Sequence, residues 1–338
     1  MNGMKLSVLD QSPVRSNASP DVSIRESIAL AQACEGFGYN RYWLSEHHNS
    51  GAVAGSAPEV LAAAIATSTS RIRVGAAGIM LPHYSALKVA ETFRVLEAIA
   101  PGRIDLGLGR APGSDSHTAL ALNPNARATA DMFPAQVRDV MAWVSGQTLP
   151  VDHPFRSIAA EPRGPLAPEI WILGSSLYGA QLAAWFGLPY AFAHFFSDGE
   201  GAAEAMHVYQ TQFKQPAPAE VTSRSAVTVF ALAAETEDEA RYWGKSRSAF
   251  TAMRNRGMYI PLPSPEEADG FDFSEQEQQR IAISQQRAFI GSAPQVAARL
   301  RALAQELRLD EIAVTTAVYD PAMRTQSYKL LAKEFGMI

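Results

Sequence analysis

Short apolar runs alternate with longer amphipathic stretches along nearly the whole chain, the pattern of a parallel sheet covered by crossover helices. Eight runs read as strands: Leu6 to Leu9, Arg41 to Leu44, Ile72 to Ala76, Ile104 to Leu108, Glu169 to Leu173, Tyr190 to His194, Ala226 to Ala231 and Glu311 to Thr315. Eight strands of one direction favour closure, so the predicted fold class is α/β, a (β/α)₈ TIM barrel with insertion loops at its C-terminal face. Ser23 and Glu26 stand at capping-box spacing, with Ile24, Ile28 and Ala31 following at helical intervals and Gly36 and Gly38 as stop signals. Ala57 to Thr69, Ala86 to Ile99, Leu177 to Phe186 and Gln295 to Leu307 repeat that helical pattern.

Two stretches interrupt the alternation. Leu149 to Pro168 carries five prolines and few helix formers, and reads as an excursion before the fifth strand. Gly244 to Ser292 is longer, with a proline-dense core at Tyr259 to Pro265 and a polar segment from Ser274 to Arg280. Long loops within compact domains are usually functional, so this insertion is the candidate lid. Both stretches return to the same strand pattern, and residues 1–338 are read as one barrel domain.

Composition narrows the partners. The chain has 338 residues, 47% hydrophobic and 19% charged, enough for a large core. A formal charge of -5 without any run of lysines or arginines leaves no footprint for nucleic acid or anionic lipid, which points to a small-molecule partner. Cys34 is the single cysteine, so no intrachain disulfide and no thiolate-rich metal site can form; it falls on the apolar face of the first helix and reads as a buried, inert thiol. The start, Met1-Asn2-Gly3-Met4-Lys5, lacks the pattern of a secretory signal, and no stretch approaches the roughly 20 apolar residues that cross a membrane. A cytoplasmic protein is expected.

In folds of alternating strands and helices, ligands bind outside the carboxyl ends of the strands. Polar residues there are therefore the first candidates for chemistry. Glu46-His47-His48 follows the second strand. Side chains alternate faces along an extended chain, so His47 and His48 cannot both face one ligand, and one of them is structural. The alternative is a polar strand end satisfied entirely by hydrogen bonds. Neither two histidines at i and i+4 nor a His-x-His pair occurs, so no metal is expected. Gly107-Leu108-Gly109-Arg110-Ala111-Pro112-Gly113 has the spacing G-x-G-x-x-x-G, which departs from the dinucleotide fingerprint. It leaves glycines that let a ligand approach the backbone, beside Arg110, whose planar fork suits a phosphate and whose bland reading is a surface charge. Gly174-Ser175-Ser176, between a strand and a helix, is either a second phosphate seat or a helix cap. Ala76-Ala77-Gly78, ending the third strand, either clears room for a flat ring or relieves crowding.

Together, Trp43-Leu44-Ser45-Glu46-His47-His48, the run from Arg71 to Gly78, the run from Gly102 to Arg110, Leu173-Gly174-Ser175-Ser176 and Gly187-Leu188-Pro189 resemble the bacterial luciferase-like flavin-dependent monooxygenases in order and spacing. The resemblance implies a (β/α)₈ barrel that binds reduced FMN and O₂ and oxidises a small organic substrate through a flavin peroxide. It implies a catalytic role for His47 and a phosphate contact for Arg110. Gly174, Ser175, Ser176 and Gly179 match the segment that lines phosphate and ring. Ala76, Ala77 and Gly78 match the stretch beneath the isoalloxazine, where a non-proline cis peptide would lie at Ala77-Gly78. The luciferase cysteine would fall at Gly109, so a non-luminous relative is expected. The missing dinucleotide motif fits a two-component system with a separate flavin reductase. A homodimer is expected from the family and from the alanine-rich helices Ala57 to Thr69 and Ala86 to Ile99. The competing readings are a deazaflavin (F420)-dependent oxidoreductase on the same fold, a non-catalytic flavin-binding protein and a metal-dependent barrel hydrolase.

Overall fold

Each apolar run pairs with the next in parallel, as their buried faces demand. The computed structural model describes residues 4–215 and 222–338. Its first half comprises β1 (Lys5–Asp10), α1 (Pro20–Gly36), β2 (Arg41–Leu44), α2 (Pro58–Ser68), β3 (Arg73–Met80), α3 (Ala86–Ile99), β4 (Ile104–Gly109), α4 (Ser116–Leu122), α5 (Ala126–Asp131) and α6 (Phe133–Ser145). There follow β5 (Glu169–Gly174), α7 (Leu177–Phe186), β6 (Tyr190–Phe192), α8 (Ala202–Gln212), β7 (Ser225–Ala234), α9 (Glu237–Asn255), α10 (Pro265–Asp269), α11 (Glu275–Arg287), β8 (Phe289–Ser292), α12 (Ala293–Leu307), β9 (Glu311–Thr315) and α13 (Pro321–Glu334). Strands β1 to β7 pair in chain order, and β9 joins β7 back to β1. The ring is a closed eight-stranded parallel barrel with alternating helices outside, the (β/α)₈ fold that the pattern predicts. β8 stands outside the ring and, among the described residues, pairs only with the far end of β7, Ala231 to Ala234.

Several boundaries differ from expectation, each for a local reason. α1 begins at Pro20, because proline at the first helical position is preorganised for the turn. Ser23 and Glu26 are therefore no cap: the Ser23 hydroxyl donates to the Pro13 carbonyl and Glu26 pairs with Arg15. The sixth strand stops at Phe192, and His194 opens a 3₁₀ turn. The stretch 244–292 is mostly regular: Gly244 lies inside α9, and α10, α11 and β8 follow. Two capping boxes, Ser264 with Glu267 and Ser274 with Glu277, start the two helices that the proline-dense run obscures.

Alternation along the strands divides the interior in two. Tyr42, Leu44, Val74, Leu106 and Ile172 face outward into the main core beneath the helices. Leu9, Trp43, Trp171, Ala191, Ala226 and Ala313 face inward and fill the middle of the barrel, with Ala77, Leu173 and Phe195 packed against them. The N-terminal end is closed by charge. Arg41 bonds Asp105 and Glu169, each at 2.9 Å, and Glu311 at 2.8 Å. Arg73 also grips Asp105, and Arg224 meets Glu169 at 2.6 Å. Trp43 donates its indole N–H to Asp105 at 2.9 Å and Trp171 donates to Glu169 at 2.8 Å, while the Arg41 guanidinium lies 4.8 Å from the Trp171 ring. Burial alone would lower the Arg41 pKa, but Asp105, Glu311 and Glu169 outweigh it and hold the guanidinium above its ordinary value. This end is plugged, which leaves the C-terminal mouth for a ligand.

Candidate active site

At the end of β2 the chain leaves the extended conformation, and the two histidines part. Buried Glu46 accepts from the Met80 backbone N–H at 2.9 Å and the Tyr84 hydroxyl at 2.8 Å, and it meets His48 Nε2 at 2.7 Å. His48 is thereby the structural member of the pair, tied through Glu46 to β3 and the turn after it. His47 is the less committed one. Its Nδ1 lies 3.1 Å from the Ser45 hydroxyl, and its ring borders an open depression of about 520 Å³ shared with Asn49, Ser50 and Val53. Burial pushes the His47 pKa below its ordinary value, with Glu46 opposing and His48 adding to the fall. The ring is therefore a neutral imidazole able to accept a proton or donate one from the tautomer its neighbours select.

Strands β3, β4 and β5 meet so closely that the glycines there serve packing. A Cβ on Gly75 would stand 2.0 Å from the Asp105 carbonyl oxygen, on Gly78 2.4 Å from Leu173 Cδ1, and on Gly107 2.4 Å from the Ala76 carbonyl oxygen. A Cβ on Gly109 would meet only the end of the Met80 side chain, which can move aside. The space that glycine leaves at 107 is thus occupied by main chain and Leu173, which corrects the expectation of a backbone cleared for ligand at that position. β3 shifts register between Ala76 and Ile79, and the Ala77-Gly78 peptide is cis, as the resemblance implies. Ala76 and Gly78 are buried, whereas Ala77 is half-buried against the interior cluster at the mouth.

The next turn gathers polar groups. Arg110, exposed just after β4, lays its guanidinium 4.2 Å from the centre of the Tyr178 ring. Tyr178 is in the first turn of α7, so this stacking brings the cation to the helix start. There Ser175 and Ser176 are exposed, the Ser176 side chain caps nothing, and no acidic residue occupies the first turn. Gly174 and buried Gly179 allow strand and helix to approach: a Cβ on Gly179 would stand 3.5 Å from the Gly174 Cα and 3.2 Å from Tyr190. The start of α7, two exposed hydroxyls and a guanidinium stacked on the first helical turn thus lie in one exposed region, groups of the kind that can hold a phosphate. No hydrogen bond joins His47 to Arg110, Ser175 or Ser176 among the described residues; these groups share the mouth, not a contact.

Farther round the mouth, α9, α11 and the turn after β6 enclose a cavity of about 330 Å³ lined by Phe195, Phe196, Asp198, Arg247, Arg254 and Ile281, among others. Arg247 is 7% exposed and lies 4.1 Å over the Phe230 ring. An arginine on a helix reads as a surface charge, which is why the sequence pattern does not select it. The available signal was its setting among Gly244, Ser246, Ser248 and Ala249, small residues that let α9 sit close. Among the described residues no group of three or more histidines, cysteines, aspartates or glutamates is placed to hold a metal ion.

A parallel barrel with its polar groups collected at the C-terminal mouth defines a TIM-barrel enzyme scaffold whose site is made by βα loops. Residues 4–311 match the family described as luciferase-like monooxygenase, and the chain belongs to that family. It is 44% identical over 335 residues to YwcH, an uncharacterized protein of Bacillus subtilis, covering 98% of this chain and 99% of that one. It is 32% identical over 330 residues to the N-acetyl-S-alkylcysteine monooxygenase of the same organism, covering 97% of each. The crystal structure of apo-MsnO8 superposes with a TM-score of 0.87 at 33% identity, covering 99% of both chains. At lower identity the fold recurs in the oxygenating constituent of 3,6-diketocamphane monooxygenase in complex with FMN (TM-score 0.72, 21%) and in an F420-dependent secondary alcohol dehydrogenase (TM-score 0.69, 11%).

Proposed function

We propose that this protein is an FMN-linked monooxygenase that takes reduced FMN from a separate reductase and uses O₂ to oxidise a small organic substrate. The observation that carries this reading is the anion seat made by Arg110, Tyr178 and the start of α7. Half-buried Ala77, on β3 two strands away from β5 in the ring, offers a surface on which a flat ring can rest, and these residues fit the phosphate and ring of the cofactor. When bound, reduced flavin supplies the two electrons with which O₂ gives one oxygen atom to the substrate and the other to water. The chain's own residues do the rest. Arg110, Ser175 and Ser176 hold the phosphate; Gly174 and Gly179 let the helix approach; Ala76, Ala77 and Gly78 support the ring; neutral His47 moves a proton. The segment 244–292, packed as α9 to β8 over the mouth, shields the reaction from water. The protein works in the cytoplasm as a homodimer joined through α2 and α3, on which Val60, Val95 and Ile99 are exposed.

Phosphate recognition gives the test. Losing a charged hydrogen bond costs roughly 1.5 to 3 kcal/mol, so Arg110→Ala is expected to weaken FMN binding by about 10- to 150-fold and to leave riboflavin binding nearly unchanged. Fluorescence titration of both ligands reads the difference. Equal weakening of both, or of neither, removes Arg110 from the phosphate and the cofactor from this seat. A second reading, F420-dependent hydride transfer, rests on the F420 dehydrogenase of the same fold. Titration with F420, and oxygen uptake with FMN and a reductase, separate the two.

A further inference from the structure

The cavity between α9 and α11 contains a buried cation short of partners. Among the described residues the Arg247 Nη1 is buried without a hydrogen bond, and its Nη2 lies 3.6 Å from Asp198 Oδ1, an ion pair too long to be a hydrogen bond. Burial pulls the Arg247 pKa down to about 10, with Asp198 opposing and Arg254 adding to the fall. Arg254, on the same wall, is lowered by burial too. A guanidinium is costly to bury unless its donors are satisfied, and an incompletely satisfied one at the edge of a cavity is an open receptor for an anion. The charge count on the buried wall points to the anion's charge. Arg247 and Arg254 against Asp198 leave one net positive charge there, Arg256 is paired with Glu277 at 2.6 Å, and Arg280, the remaining cation of the lining, is exposed at the rim, where water screens it. One buried surplus charge matches a monocarboxylate better than a dianionic phosphate. Phe195, Phe196 and Ile281 give the rest of the cavity an apolar lining. Phe195 also packs on the interior cluster against which Ala77 rests, so one set of side chains in the middle of the barrel links the cavity wall to Ala77.

We propose that Arg247 is the specificity-determining residue of the substrate site, and that the substrate is an organic monocarboxylate. Its carboxylate lies in the guanidinium fork, two parallel N–H donors to two oxygens, and its apolar part lies against Phe195 and Phe196 toward Ala77. This assignment rests on the monooxygenase reading for the word substrate, but the anion site itself is testable without flavin or turnover.

Calorimetric titration of the flavin-free protein with octanoate, phenylacetate and N-acetylmethionine, each beside its primary amide, tests it. At least one acid is expected to bind ten times or more as tightly as its amide. Arg247→Met is expected to weaken that acid by about 10- to 150-fold and to leave its amide unchanged, with Arg247→Lys in between. FMN affinity should be the same in all three proteins, which shows the variants to be folded. If every acid binds no better than its amide, or Arg247→Met leaves the preference intact, the proposal is overturned while the cofactor reading stands. If Arg247→Met weakens FMN and spares riboflavin, Arg247 holds the flavin phosphate, and both this proposal and the Arg110 assignment fall. Failure of Arg110→Ala alone overturns only the cofactor seat.

Discussion

Arg41 and Arg247 are 3% and 7% exposed, equally hidden from water, yet their surroundings push their ionisation in opposite directions. At the closed end of the barrel, Arg41 has three carboxylates and two indole faces around it. At the open end, Arg247 has one distant aspartate, one phenyl ring and an idle Nη1. Burial alone does not separate a structural charge from a functional one; completeness of its partners does. The two histidines after β2 repeat the contrast on a smaller scale, with His48 bound to Glu46 and His47 left with one hydroxyl.

The largest effect should come from the complete site. Arg41→Met takes from Glu311 its one cation among the described residues and leaves Asp105 and Glu169 with Arg73 and Arg224, and removal of one partner from a buried ionic cluster typically costs about 3 to 5 kcal/mol. Urea unfolding should show that loss as a lower midpoint at unchanged slope. A loss below about 1 kcal/mol would mean that water reaches the cluster and that the contrast with Arg247 is false.

Next come the histidines. His47→Ala should lower turnover by about 10²-fold, the usual scale for a proton-transfer group, without moving the unfolding midpoint. His48→Ala should do the reverse and lower the midpoint, because Glu46 loses a buried partner. Equal loss of turnover and stability in both variants would make the whole turn structural. The depressed His47 pKa adds a pH signature. The unfolded chain takes up this proton first, so the stability due to a neutral His47 is complete above the ordinary value of 6.5 and declines as pH falls from there toward the depressed value. His47→Gln should flatten that part of the stability profile and leave the share that buried His194 contributes in the same direction.

The smallest effect should be that of Arg247→Met on stability. A methionine of similar reach replaces an incompletely paired buried charge, so the unfolding free energy should change by less than about 1 kcal/mol or rise. A drop as large as that of Arg41→Met would show that Asp198 alone satisfies the guanidinium.

Much of the barrel was legible because its strands are buried on both faces and therefore read as continuous apolar runs. β8 was not: Phe289-Ile290-Gly291-Ser292 has four residues and buries only alternate ones. α11 was hidden for a related reason, since none of its residues is buried and only the Ser274–Glu277 box announces it. At the mouth, the positions of Arg110 after β4 and of Ser175-Ser176 between β5 and α7 were legible because apolar strands and the start of an amphipathic helix flank them in sequence. Gly107 was misread because a missing side chain looks the same in sequence whether a ligand or a neighbouring strand fills the gap. Arg247 was missed because its meaning lies in partners that come from Asp198 and Phe230, far away along the chain.

For anyone redesigning the catalyst, the crowding at Gly75, Gly78 and Gly107 divides the mouth into territory that can be randomised and territory that cannot. Even a methyl group at those three positions collides with main chain or Leu173, so a mutant library that includes them spends its diversity on proteins with a broken seam. If the proposed substrate site holds, a library confined to Phe196, Arg254, Ile281 and Ile283, which line the cavity between α9 and α11, changes what the enzyme accepts while the barrel beneath remains the same machine.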